Sequence, residues 1–278
     1  MPQWAAFVGL TGLLLTALLA LARLSQRALP GNDGATARID GFGGTESDGP
    51  RDPTIPRFET PEVARRRAHL ETQLSPDEVS AGALLANVAL TQGLFGALLV
   101  GGAFYFQIPL SAFGVTDAAL STGLPALGLG VAAGVGFWVG NELAAVIADG
   151  FGIAFDESLR ELLAPDSLGG WVVLLGLILP TIAVVEELLF RAAAIGVPVA
   201  GLGAPAWAMV LVSSVAFALG HGAQGRAGIV VTGALGSALA VLFVLTDSLL
   251  AVVVAHYLVN ALELVVHEGL GVDRLSVS

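Results

Sequence analysis

The chain contains no cysteine. Disulfides, thiolate catalysis and Cys-ligated metal centres are excluded by that absence alone. It contains no lysine either, so all twelve basic side chains are arginine. Charged residues make up only 13% of the 278 positions, against 55% hydrophobic, and mean hydropathy is +0.81. A soluble domain needs more charge than this on its surface, so the composition is that of an integral membrane protein. Net charge is -11, which bears on solubility and salt rather than on fold. No basic patch is present, and nucleic acid is not an expected partner. The glycines at 128–136 lack the spacing of a dinucleotide fingerprint and lie in an apolar run. No HExxH and no nucleophile-elbow serine occurs.

Long apolar runs are what the chain does have. The first, Trp4 to Ala22, is followed by Arg23 and Arg27, with no positive residue before it. A signal peptide carries its charge first, so this run reads as a retained span. Further spans are expected at 82–106, 122–147, 169–198, 204–221, 227–246 and 248–268. The fold class is therefore all-α, a polytopic membrane bundle of about seven transmembrane helices. Three segments are expected: an N-terminal transmembrane helix at 1–23, a cytoplasmic linker at 24–80 and an intramembrane domain at 81–270. The linker is rich in Gly, Pro and charge, with a surface helix expected from Thr60-Pro61-Glu62 onward. A short amphipathic helix is expected near 156–164. Eight of the twelve arginines (23, 27, 38, 51, 57, 65, 66 and 67) flank or occupy the linker. The positive-inside rule places it in the cytoplasm, with the N-terminus outside. The expected location is the cell membrane, with a site open to the cytoplasm. Gly130 with Gly134, and Gly136 with Gly140, have the spacing of helix–helix contacts.

Three polar patterns interrupt these spans: Glu186-Glu187-x-x-x-Arg191, Phe217-x-x-x-His221 and His256-x-x-x-Asn260. Each charge costs roughly 2.5–3.5 kcal/mol at a span's centre on insertion scales. A helix that only crossed lipid would lose nothing by omitting them, so they point to a polar site between helices. Glu187 and Arg191 are spaced i,i+4 and can pair. Glu186, about 100° around the helix, is then the free carboxylate and suits a general base. His256 and Asn260 lie one turn apart and both donate hydrogen bonds, so they could hold an oxyanion. Taken singly, each pattern also fits a bland role. The acids could cap a span end, His221 could sit among headgroups, and His256 with Asn260 could bond neighbouring helices. Glu263 and His267 continue the stripe of the last helix and read as structural. Asn141-Glu142 and Ser213-Ser214 are ambiguous.

The ordered triple resembles the CPBP family of CAAX-processing and bacteriocin-processing intramembrane endopeptidases. It covers about 169–268, as Glu186-Glu187-Leu188-Leu189-Phe190-Arg191, Phe217-Ala218-Leu219-Gly220-His221 and His256-Tyr257-Leu258-Val259-Asn260. The resemblance implies a CAAX-type endopeptidase in which Glu186 and His221 activate water. It implies that His256 and Asn260 form an oxyanion hole, while Glu187 and Arg191 shape the site or contact substrate. Glu187→Ala is then expected to be partly tolerated. No cofactor is implied, with zinc held by two His and a Glu as the alternative. The implied substrate is a membrane protein or lipidated peptide met within the lipid bilayer, C-terminal processing of prenylated proteins among the options. A non-catalytic scaffold or immunity protein would be expected to lose the glutamates, and this chain keeps both. An ion-coupled transporter would be expected to show a repeat, and none is visible.

Overall fold

In the computed structural model, residues 1–28, 81–150, 158–222 and 225–272 are described. Of the expected linker, residues 24–28 continue the first helix, and the remainder with its expected surface helix lies outside the described residues. Among those described, every regular element is helical. Continuous apolar sequence leaves no water to satisfy backbone groups in lipid, and a helix satisfies them internally. Apart from two four-residue helical turns, Leu110–Phe113 and Ala119–Thr122, the helices are α1 (Trp4–Ala28), α2 (Ala81–Tyr105), α3 (Leu124–Gly150), α4 (Ser158–Leu163), α5 (Leu168–Leu202), α6 (Ala206–Gly220), α7 (Gly225–Thr246) and α8 (Leu249–Leu264). A π turn, Val265–Gly269, extends α8.

Six of these are long and apolar enough to cross a membrane. The chain is a multi-pass all-α membrane protein. The expected count of about seven resolves into six such helices plus α6, which has 15 residues. At 1.5 Å per residue α6 spans roughly 22 Å, short of a ~30 Å hydrocarbon core. The expected short helix near 156–164 is α4. Large apolar side chains such as Leu90, Phe104, Ile147, Leu177, Leu211 and Leu245 are exposed, as lipid-facing positions should be.

Polar caps set where the central helices begin and end. Ser167 Oγ accepts from the Gly170 N–H at 3.1 Å and starts α5. Ser248 Oγ accepts from the Ala251 N–H at 3.0 Å and donates to the Ser121 carbonyl at 2.7 Å, starting α8. Gly203, at φ 66°, closes α5 with a left-handed cap.

Helix α5 is not a uniform α-helix. Two π segments, Leu174–Ile178 and Leu188–Gly196, are inserted in it. Pro180 has no N–H to give the Leu175 carbonyl five residues back, the π-register partner. The Tyr257 hydroxyl of α8 donates to that carbonyl at 3.1 Å instead. The second π segment begins directly after Glu187 and contains Arg191.

Helices α3 and α8 pack through one of the two small-residue pairs. A Cβ on Gly130 would meet the Ala251 carbonyl oxygen at 2.7 Å, and one on Gly134 the Ala255 carbonyl oxygen at 2.9 Å. Gly136 and Gly140 were expected to form a similar contact, but a Cβ on either meets nothing within 4 Å. They lie on another face of α3, and spacing alone does not say which face meets a partner. Gly130→Val or Gly134→Val should therefore cost about 1–3 kcal/mol through backbone clash. Gly136→Val should stay within about 0.5 kcal/mol of wild type. Thermal unfolding in detergent measures both, and equal losses at Gly134 and Gly136 would contradict the packing.

Candidate active site

The three polar patterns converge. Glu186 and Glu187 stand near the middle of α5, His221 at the C-terminal end of α6 and His256 on α8. Glu187 and Arg191 are fully buried and paired, Arg191 Nη1 donating to Glu187 Oε1 at 2.8 Å. A second guanidinium nitrogen donates to the Gly236 carbonyl of α7 at 2.9 Å. Charges this deeply buried are tolerated only when paired and hydrogen-bonded.

Glu187 has a further partner that the sequence does not reveal. His256 Nδ1 donates to Glu187 Oε1 at 2.7 Å. A carboxylate oxygen accepts, so the hydrogen lies on Nδ1. Helices α5 and α8 are thus joined by Arg191, Glu187 and His256 in series.

Glu186 turns the other way. Its Oε2 lies 3.8 Å from His256 Nε2 and 3.9 Å from His221 Nε2. These separations are too long for direct hydrogen bonds and suit a shared water or a substrate atom. His221 Nδ1 donates to the Phe217 carbonyl at 2.9 Å, which again fixes the hydrogen on Nδ1. Both rings therefore present Nε2 to the same carboxylate oxygen. The Glu186 and His221 side chains keep 12% and 26% of their exposure, while Glu187 keeps none. The accessible side of the cluster is the Glu186–His221 side.

Phe217 organises the apolar wall. The Arg191 guanidinium carbon stands 4.5 Å from its ring centroid. The rings of His221, Phe190 and His256 lie at 4.5, 5.0 and 5.9 Å. Gly236 permits this, because a Cβ there would meet Phe217 Cδ1 at 2.8 Å. The first motif residue of Phe217-x-x-x-His221 is thus the floor under the buried ion pair.

Asn260 lies one turn beyond His256 on α8 and is half-buried. No hydrogen bond ties its side chain to another described residue. Ser213 is buried and its Oγ donates to the Phe190 carbonyl at 2.5 Å, a structural bond between α6 and α5. Gln92 of α2 was not singled out in the sequence. Its amide nitrogen donates to Glu186 Oε1 at 3.2 Å. A lone Gln in an apolar run carries no spacing signal that could have marked it.

A second polar cluster sits farther along α8. His267 contacts Glu142 Oε1 at 3.0 Å and lies 4.0 Å from Glu263 Oε2. The three residues bring ligand atoms within 4.8 Å of one another. Arg160 of α4 binds Glu263 at 3.0 Å and Glu268 at 2.6 Å, so the protein supplies a cation of its own there. Glu263 and His267 thus tie α8 to α3 and α4, as their structural reading expects.

Neither a curated protein nor a solved structure matches the chain. A family model does, and it agrees with the resemblance carried by the motifs. Over residues 168–262, which include Glu186, Glu187, Arg191, His221, His256 and Asn260, the chain matches the Rce1-like family, type II CAAX prenyl endopeptidase Rce1-like.

Proposed function

We propose that the protein is an intramembrane endopeptidase that hydrolyses a peptide bond with a water activated by Glu186. The observation that carries this reading is the approach of Glu186 Oε2 to two histidine Nε2 atoms, at 3.8 and 3.9 Å, while both Nδ1 atoms are already bonded. The family match supports an endopeptidase in general.

Proton accounting assigns the roles. His221 carries its hydrogen on Nδ1, so neutral His221 offers an Nε2 lone pair that can accept from water. His256 also carries hydrogen on Nδ1, so it can donate from Nε2 only as the imidazolium. Imidazolium at His256 and Arg191 then balance the two carboxylates of Glu186 and Glu187. In that state water donates to Glu186 and His221, and its oxygen attacks the scissile carbonyl carbon. Glu186 takes the proton. The carbonyl oxygen becomes the oxyanion and accepts from His256 Nε2 and the Asn260 amide. As the carbon–nitrogen bond breaks, Glu186 returns the proton to the leaving amine. The products are a free amine and a carboxylic acid, which ionises to the carboxylate as its remaining proton, the one water donated toward His221, passes to His221 Nε2.

The zinc version fits less well. Tetrahedral zinc with ligands at about 2.0–2.1 Å separates its ligand atoms by about 3.3 Å. The Nε2–Oε2 separations here are wider, at 3.8 and 3.9 Å. Activity should survive chelation in protein shown to be metal-free by elemental analysis. Loss on chelation with recovery on adding zinc would overturn the metal-free mechanism.

The substrate proposed is a prenylated protein or peptide that loses its C-terminal tripeptide. A lipidated chain end lies in the bilayer, where this site is. Entry is from the cytoplasm. Gln92 lies seven residues past Leu85, the start of the apolar part of α2, hence roughly 10 Å in from that end. That end adjoins the arginine-rich linker. Asn260→Ala should lower single-turnover cleavage about 100–1000-fold, the usual cost of one oxyanion donor. A change of only a few-fold would remove Asn260 from the oxyanion hole.

A further inference from the structure

The family match begins at residue 168, yet Glu186 is also held from outside it. Gln92 stands in the apolar helix α2, where a primary amide is costly unless it is hydrogen-bonded. Its partner is Glu186, with the amide nitrogen 3.2 Å from Oε1. An ionised carboxylate only accepts, so the NH2 end of the amide is the end that faces it. The two oxygens of Glu186 are thereby divided. Oε1 is occupied by Gln92, and Oε2 faces the two histidines.

The backbone is arranged for this approach. Gly96 lies one turn beyond Gln92 on the same face of α2. A Cβ on Gly96 would meet Val185 Cγ2 at 2.9 Å, beside Glu186 in the chain. The absent side chain lets α2 lie close to α5 where Gln92 reaches across. Without that bond the glutamate has rotatable torsions that nothing else on α2 restrains, and a general base must be held near its productive geometry.

We propose that Gln92 is a positioning residue, which fixes Glu186 by donating to Oε1 and so presents Oε2 to His221, His256 and the reacting water. This rests on the reading of Glu186 as general base. Gln92→Leu keeps the volume and removes the donor. It should lower kcat about ten- to a hundred-fold, the worth of a hydrogen bond to a charged group, with KM within about twofold of wild type. A merely structural role would instead lower the unfolding midpoint and the yield of folded protein.

A second readout does not depend on turnover. Glu186 in detergent-solubilised full-length protein is labelled with dicyclohexylcarbodiimide, which attacks membrane-buried carboxyl groups, and the adduct is quantified by mass spectrometry. Freed from its donor, Glu186 should be labelled severalfold faster in Gln92→Leu than in wild type. Unchanged kcat together with unchanged labelling would overturn the assignment. Undiminished cleavage by Glu186→Ala would overturn the general-base reading instead, and the labelling rates would still decide whether Gln92 holds Glu186.

Discussion

Glu186→Ala should reduce peptide cleavage to background, a loss on the order of 10³–10⁴-fold, while the protein remains folded. The split between activity and stability follows from where the carboxylate stands. Glu186 is not part of the buried ion pair, keeps some exposure and touches the two histidines only at 3.8 and 3.9 Å. Its direct hydrogen bond is the one from Gln92. Removing it strands one amide, at a cost of about 1–3 kcal/mol. Glu186→Gln is the sharper variant. It keeps the volume and can still bond Gln92 through its oxygen, but it cannot take a proton from water. It should be as inactive as the alanine variant, with an unfolding midpoint close to wild type. An active Glu186→Gln enzyme would remove Glu186 as the base.

Arg191→Ala should have the largest effect on stability, about 3–5 kcal/mol, or prevent folding altogether. The guanidinium is fully buried, bonded to Glu187 and the Gly236 carbonyl, and lies over Phe217. Deleting it leaves a buried carboxylate without its counter-charge. Arg191→Lys should recover little, because an ammonium lacks the planar fork that bonds two helices while lying over a ring. Glu187→Ala should fare as badly by the same logic, since it strands Arg191 and also releases His256 Nδ1. The motif alone suggests partial tolerance at Glu187, and the burial of the whole triad argues against it. The double variant Glu187→Leu with Arg191→Met should regain much of the stability, as apolar replacement of buried ion pairs often does. It should remain inactive, because His256 has lost the acceptor that holds its ring in place through Nδ1. Chemical denaturation in detergent, run beside the cleavage assay, separates the two effects. A single Arg191→Ala variant as stable as wild type would contradict the account.

The candidate site residues are legible because burying charge in apolar sequence is expensive. Glu186, Arg191, His221 and His256 stood out against that background without any structure. The helices were legible for the complementary reason, since uninterrupted apolar runs leave the backbone no alternative to a helix. Tertiary partners were not legible. Nothing in the spacing of Glu187 and His256, 69 residues apart, says that they bond. Gln92 and Gly236 belong to helices with no motif, and each matters only through what lies opposite. Gly136 and Gly140 show the converse error. Their spacing equals that of Gly130 and Gly134, but a Cβ on either would meet nothing within 4 Å among the described residues. The π segment after Glu187 was also hidden, because no residue in Leu188–Gly196 marks a change of register.

The most direct test is single-turnover cleavage of a farnesylated CAAX-type peptide by the purified protein in 18O-labelled water, read by mass spectrometry beside Glu186→Ala. Wild type should release the C-terminal tripeptide and leave one 18O atom in the new carboxylate of the prenylated cysteine. Glu186→Ala should release none. Release by Glu186→Ala at the wild-type rate, or a first-turnover product without 18O, would contradict hydrolysis by a water that Glu186 activates.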